Sequence, residues 1–164
     1  MTEYLLDTAA ELEYARRWAS SRNPAWPDFD SLGGDCTNFI SQCLYAGGAA
    51  MNYTPDTGWY LISLHDRSAA WSGVEYFFRF IVSNRSAGPF GVPVPVSEAR
   101  VGDVIQLGDS GGFYHSLLTV DIKNGEPLVA AHSNDAFNRP LSSYSFGRIR
   151  CLHILGSRAF SALR

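Results

Sequence analysis

An α+β fold is predicted by three features of the chain. Helix-period apolar segments fill its first half, strand-like alternation fills its second, and an Asn-Gly turn in the second half marks an antiparallel hairpin. At 164 residues the chain fits one domain, spanning 1–164. A domain of this length can bury a core without disulfides or a structural metal.

The elements follow in order. Residues 3–21 read as an amphipathic helix with Tyr4, Leu5, Ala9, Leu12, Ala15 and Trp18 on one stripe, stopped by Asn23-Pro24. The segment NPAWPDFDSLGG, 23–34, is a loop. A second helix is expected over 36–46, with Asp35 as its N-cap and Gly47-Gly48 as its stop. Cys36, Phe39, Ile40 and Cys43 share one stripe of it. Residues 49–70 look irregular. A third helix covers 70–84, with Trp71, Val74, Phe77, Phe78 and Ile81 inward. GPFGVPVPVSEARVGD reads as a Pro/Gly loop. Strands are expected over 104–107, 114–122, 127–133 and 148–155.

Composition excludes several classes. Apolar residues make up 46% and charged residues 18%, which is globular rather than disordered. A net charge of −3 without a Lys/Arg cluster disfavours nucleic acid and anionic membranes as partners. No run of apolar residues is long enough for a transmembrane helix, and the start lacks the pattern of a signal peptide. The chain as written reads as cytoplasmic, or as the mature part of a longer exported protein. The cysteines, Cys36, Cys43 and Cys151, form no CxxC pair. The histidines, His65, His115, His132 and His153, lack zinc-site spacing, so neither metal nor organic cofactor is expected.

The chemistry centres on GGDCTNF. Thiolate is the reactive form of cysteine, and a helix N-terminus favours it, so Cys36 at the first position of its helix is a candidate nucleophile. Cys43 and Cys151 fall within elements and read as core. A cysteine nucleophile needs a base, and the base an orienting partner. Lys123-Asn124-Gly125-Glu126 sets a type I′ hairpin. Counting back from it places His115 opposite Asn134 and Leu117 opposite His132. All four then share one sheet face, with the two histidines diagonal neighbours about 7 Å apart. His132, with Asn134 in reserve, is the expected orienter of His115. Ser133 and Asp135 then point away. His65 and His153 read as ordinary structural histidines.

These segments also carry a family resemblance. GGDCTNFISQCLYAGG, preceded by NPAWPDF and followed by YHSLLTV and AAHSND, resembles the putative amidase domain family, and through it the NlpC/P60 and CHAP peptidases of the papain-like superfamily. The resemblance implies a papain-like, NlpC/P60-like fold, with the nucleophile helix packed on an antiparallel sheet. Asp35 to Phe39 match the family's DC-S/T-x-F segment, His115 its strand-opening base and His132 its third residue. Gly102-Asp103 match its pre-strand GD. Where NlpC/P60 enzymes carry a tyrosine upstream of the cysteine, this chain offers Trp26 and Phe29, and no second oxyanion donor is identified.

The expected reaction is hydrolysis of an amide through a Cys36–His115–His132 site, by a Cys36 thiolate paired with protonated His115. The resemblance implies a peptide or peptidoglycan-type substrate. An acyltransferase on the same scaffold and a non-catalytic binding module are the competing readings. An aromatic group, Trp26, Phe29, Trp59, Tyr60 and Trp71, can line a groove, although most of it is expected in the core.

Overall fold

The alternating second half of the chain forms an antiparallel sheet in the computed structural model, which describes residues 1–160. In chain order the elements are β1 (Thr2–Tyr4), α1 (Thr8–Trp18), α2 (Cys36–Ala46), β2 (Leu61–Ser63), β3 (Asp66–Arg67), α3 (Ala69–Ser72), α4 (Val74–Ser83), β4 (Gly88–Val94), β5 (Val104–Asp109), β6 (Gly112–Lys123), β7 (Glu126–Ala131), β8 (Ala136–Pro140) and β9 (Arg148–Ala159). Seven strands pair in the order β1-β9-β5-β6-β7-β8, with β4 on the other edge of β9, and all their pairings are antiparallel. The α+β class is as the sequence predicts.

Several boundaries differ from expectation, each for a local reason. The first helix begins only at Thr8, where the Asp7 carboxylate accepts the Ala10 N–H at 3.0 Å. Thr2–Tyr4 instead extends the sheet along β9, and Leu5 is exposed. The helix expected over 70–84 breaks at Gly73, whose ψ of 130° is extended, giving α3 and α4. The segment read as irregular contains the β2–β3 hairpin. The Pro-rich loop contains β4, a strand that pairs only with β9, where prolines without an N–H are tolerated on the free side. β8 carries no alternation long enough to mark it.

Side chains alternate across the sheet. Val104, Leu118, Ala130 and Leu152 pack against the helices with Phe39, Ile40, Leu44, Trp71 and Phe77. Their neighbours Ile105, Leu117, Val129 and Cys151 form a second cluster on the other face, covered by Leu141, Tyr144 and Val96. Helix α2 is buried from Cys36 to Leu44 on every side, not along one stripe. Its polar side chains are therefore all partnered, as burial requires. Thr37 Oγ1 meets Ser116 Oγ at 2.9 Å, Trp71 Nε1 donates to Asn38 Oδ1, Ser41 Oγ donates to the Trp71 carbonyl, and Tyr14 donates to Gln42. Trp59, Trp71 and Phe29 are core residues.

The hairpin turn forms where the sequence puts it. Asn124 and Gly125 have φ of 52° and 78°, as a type I′ turn requires, and Lys123 pairs with Glu126. The register then shifts. Asp121 faces Leu128, but Thr119 faces Val129, so a β-bulge takes up one residue at Val120. Every position beyond it moves to the opposite face relative to the expected pairing.

Candidate active site

Cys36 opens α2, with its sulfur at the edge of β6. Sγ lies 4.0 Å from the Tyr114 carbonyl oxygen and 3.8 Å from Thr37 Oγ1. The Ser116 backbone N–H also bears on the sulfur and favours its thiolate. In an extended strand the carbonyl before a residue and the N–H after it point to the same edge. The sulfur is thus centred on His115, the residue between Tyr114 and Ser116. Among the described residues no hydrogen bond joins the thiol to the imidazole.

The electrostatics differ from the expected ion pair. Burial pushes the Cys36 thiol above its ordinary value, outweighing the hydrogen bonds that favour the thiolate. Burial, reinforced by the positive charge of Arg139, lowers the His115 imidazole to about 4. Both shifts favour a neutral thiol beside a neutral imidazole. Desolvation of this residue, only 8% exposed, outweighs the Ser116 and Thr37 hydrogen bonds, and the Asp35 carboxylate adds to it.

His132 lies elsewhere. Its Nδ1 lies 2.6 Å from Asp35 Oδ2 and its Nε2 lies 2.7 Å from the Trp18 carbonyl oxygen, both at hydrogen-bond distance. The ring stacks on Phe39, with centroids 4.0 Å apart. Both nitrogens are committed, so the expected bond from His132 to His115 is not made. The bulge at Val120 is the reason. It brings His132 to the α2 face with Ser116, while His115 shares the other face with Leu107 and Leu117. Asn134 is exposed and makes no hydrogen bond to His115. Asp135 pairs with Arg22 at 2.9 Å.

Asp35 is a hub that the sequence presents only as an N-cap. Its carboxylate makes no cap bond to α2. It accepts the Phe29 N–H and Asn38 Nδ2 at 2.8 Å each, besides His132, and Arg22 Nε lies 3.6 Å away. Arg22 also holds Asp30 and Asp135. The network ties the loop before α2 to the end of β7 and fixes where Cys36 begins its helix. The DC pair carries a signal for Asp35, whereas Arg22 has none in the local sequence. Across the sheet, Tyr144 packs beside His115 with ring centroids 6.0 Å apart, and no periodicity or motif marks it.

A cavity of about 610 Å³ lined by Asp56, Arg67, Ser72, Gly73 and Tyr76 flanks α3 and α4, and neither Cys36 nor His115 lines it. Among the described residues no group of three or more His, Cys, Asp or Glu could hold a metal. No described helix is long and apolar enough to cross a membrane.

By fold and site this is an α+β protein whose helix-initial thiol meets a histidine-bearing strand edge. The chain belongs to the family described as Putative amidase domain, which matches residues 6–154. It is similar to the Uncharacterized protein YhbB of Bacillus subtilis (strain 168), 35% identical over 139 residues, which are 79% of this chain and 42% of that protein. The chain thus spans less than half the length of that relative. No solved structure matches it. The family description points to amide hydrolysis.

Proposed function

We propose that the chain is a cysteine hydrolase of amides, with Cys36 as nucleophile and His115 as base. The observation that carries this reading is the seat of Cys36 Sγ at the β6 edge centred on His115. The resting pair is neutral, so proton transfer accompanies attack. His115 takes the thiol proton as sulfur bonds to the amide carbon, and the carbonyl oxygen becomes an oxyanion. The first-turn N–H groups of α2, which the Asp35 side chain leaves free, are donors for it. His115 then gives its proton to the leaving nitrogen, the C–N bond breaks and a thioester remains. Water, deprotonated by His115, cleaves the thioester and restores the thiol.

His132 acts here as a positioning residue. Through Asp35 it holds the start of α2, and it does not touch the base. Kinship with papain-like NlpC/P60 and CHAP enzymes suits the order of helix-initial cysteine and strand-borne histidine. It makes peptides, including those of bacterial peptidoglycan, the substrate class to try first.

The test is mass spectrometry of products after incubation with N-acyl dipeptides and peptidoglycan fragments. Hydrolysis that disappears in Cys36→Ala, with the folded spectrum intact, supports the reading. Full activity in Cys36→Ala overturns it. Product captured by an added amine in place of water would assign acyl transfer.

A further inference from the structure

The face of the sheet that carries His115 holds two polar groups whose hydrogen-bonding capacity the protein does not use up. Arg139, on β8, lies flat over Tyr144 with its guanidinium carbon 3.7 Å from the ring centroid. Its Nε donates to Ser143 Oγ at 2.7 Å and its Nη2 to the Ser143 carbonyl at 3.1 Å. A guanidinium has five N–H donors in a rigid fork, so these bonds fix the plane and leave donors unused. Among the described residues no carboxylate pairs with Arg139. The Tyr144 hydroxyl is buried, makes no well-formed hydrogen bond, and has the Arg139 guanidinium as its polar neighbour. Burial keeps it protonated, and therefore a donor. His115 lies against both, 6.0 Å from the Tyr144 ring and within the field of Arg139.

We propose that Arg139 and Tyr144 anchor a carboxylate of the substrate beside His115. A planar cation held on a ring, next to a buried hydroxyl donor, matches the two oxygens of a carboxylate. The site adjoins the residue that protonates the leaving nitrogen. The carboxylate therefore belongs to the leaving amine, within about one residue of the scissile bond. The substrate class is an N-acyl amino acid, or a peptide cleaved next to its free C-terminus. The bound anion also offsets the charge of Arg139, so it makes the imidazole a stronger base only when the right substrate is in place. The inference rests on the hydrolase reading for its mechanism, but not for its binding test.

His115 is faced by Arg139 from β8 and by Tyr144 from the turn after it, and the Cys36 sulfur of α2 lies at the backbone edge of its strand. On β9, Arg148 and Arg150 are held over Phe113. The experiment follows the His115 imidazole by NMR in the Cys36→Ala chain, which cannot turn over the probe. N-acetylalanine is added in one arm and its methylamide in the other. The carboxylate is expected to raise the His115 titration midpoint by about one unit. The methylamide is expected to leave it unchanged, and Arg139→Gln to abolish the response. Tyr144→Phe should weaken the response, and Arg139→Lys should keep part of it. Equal responses to both probes, no response up to the solubility of the carboxylate, or an undiminished response in Arg139→Gln overturns the proposal. The hydrolytic arm is separate. If the wild-type chain cleaves no amide, the hydrolase reading falls while the titration still decides whether the anion site exists.

Discussion

The two histidines nearest the candidate nucleophile sit in opposite chemical surroundings. His132 is buried with both ring nitrogens bonded, on a carboxylate that has further partners of its own. His115 has a depressed pKa, no hydrogen bond to its ring among the described residues, and a neighbouring hydroxyl and guanidinium with donors to spare. A satisfied buried network fixes a geometry, whereas groups with donors to spare beside His115 leave bonds for a ligand to make. The two histidines thus lie on opposite faces of one sheet, and the thiol of α2 sits at the strand edge between them.

The largest expected effect comes from breaking the satisfied side. Asp35→Ala removes a buried carboxylate and leaves His132 Nδ1, the Phe29 N–H and Asn38 Nδ2 without their acceptor. It should cost about 3–5 kcal/mol of stability, read by denaturant unfolding. Asp35→Asn should cost less, because it still accepts hydrogen bonds. A loss below about 1 kcal/mol for the alanine variant would mean that the network is decoration and the contrast is empty.

The next test exchanges the histidines. His115→Ala should lower hydrolysis by roughly 10²–10⁴-fold and leave the unfolding midpoint nearly unchanged. His132→Ala should do the reverse in emphasis. It should lose about 2 kcal/mol of stability and retain measurable turnover below its melting point. If His132→Ala is as inactive as His115→Ala while remaining fully folded, His132 takes part in chemistry and the division fails.

The difference between the faces also shows what was legible in the sequence. Cys36 at the first position of its helix could be read from Asp35 before it, Gly47-Gly48 after it and the apolar spacing between. The Asn124-Gly125 turn was legible as well, because positive φ at both positions is a local demand. The bulge at Val120 was not. Nothing in TVDIK distinguishes a strand that takes up one extra residue, yet that residue decides which histidine shares a face with which partner. β4 was hidden by Pro89 and Pro93, which are compatible with a strand only on a free edge. Arg22, Arg139 and Tyr144 act through contacts distant in sequence or without periodicity, so only the fold brings them to the site.

With His115 at about 4 in the free chain, kcat/KM should rise on an acid limb centred near that value, as the imidazole loses its proton. It should then stay flat over roughly pH 6 to 8. A thiolate–imidazolium pair would instead add a fall when the imidazolium deprotonates. For a carboxylate-bearing substrate kcat reports the complex, and its acid limb should lie above that of kcat/KM. Coincident limbs would argue that the substrate leaves the base unaltered.

The smallest expected effect on hydrolysis tests whether an unpartnered buried atom is enough to mark a site. Glu11 of α1 is 2% exposed, and its Oε2 has no partner. It packs against Gly47, past the C-terminal end of α2, where the helix dipole disfavours negative charge. Burial, with Asp7 and Asp103 nearby, raises its carboxyl to about 8. Unlike Tyr144, it lies near further acidic groups and away from the thiol, so it reads as a stability cost rather than a binding group. The sign follows from linkage. The folded state holds the proton more tightly than the unfolded state, so stability falls as pH rises from the ordinary carboxyl value of 4.5 towards 8. Each unit in that window costs up to about 1.4 kcal/mol. Glu11→Gln removes the ionisation and leaves a polar end like that of the protonated acid, so at pH 9 the variant should recover most of that loss. At pH 5 the gain should nearly vanish, and hydrolysis should be unchanged at both values. A gain independent of pH would mean that the glutamate is already neutralised by a partner. A loss of activity would tie the far end of α2 to the chemistry at its start.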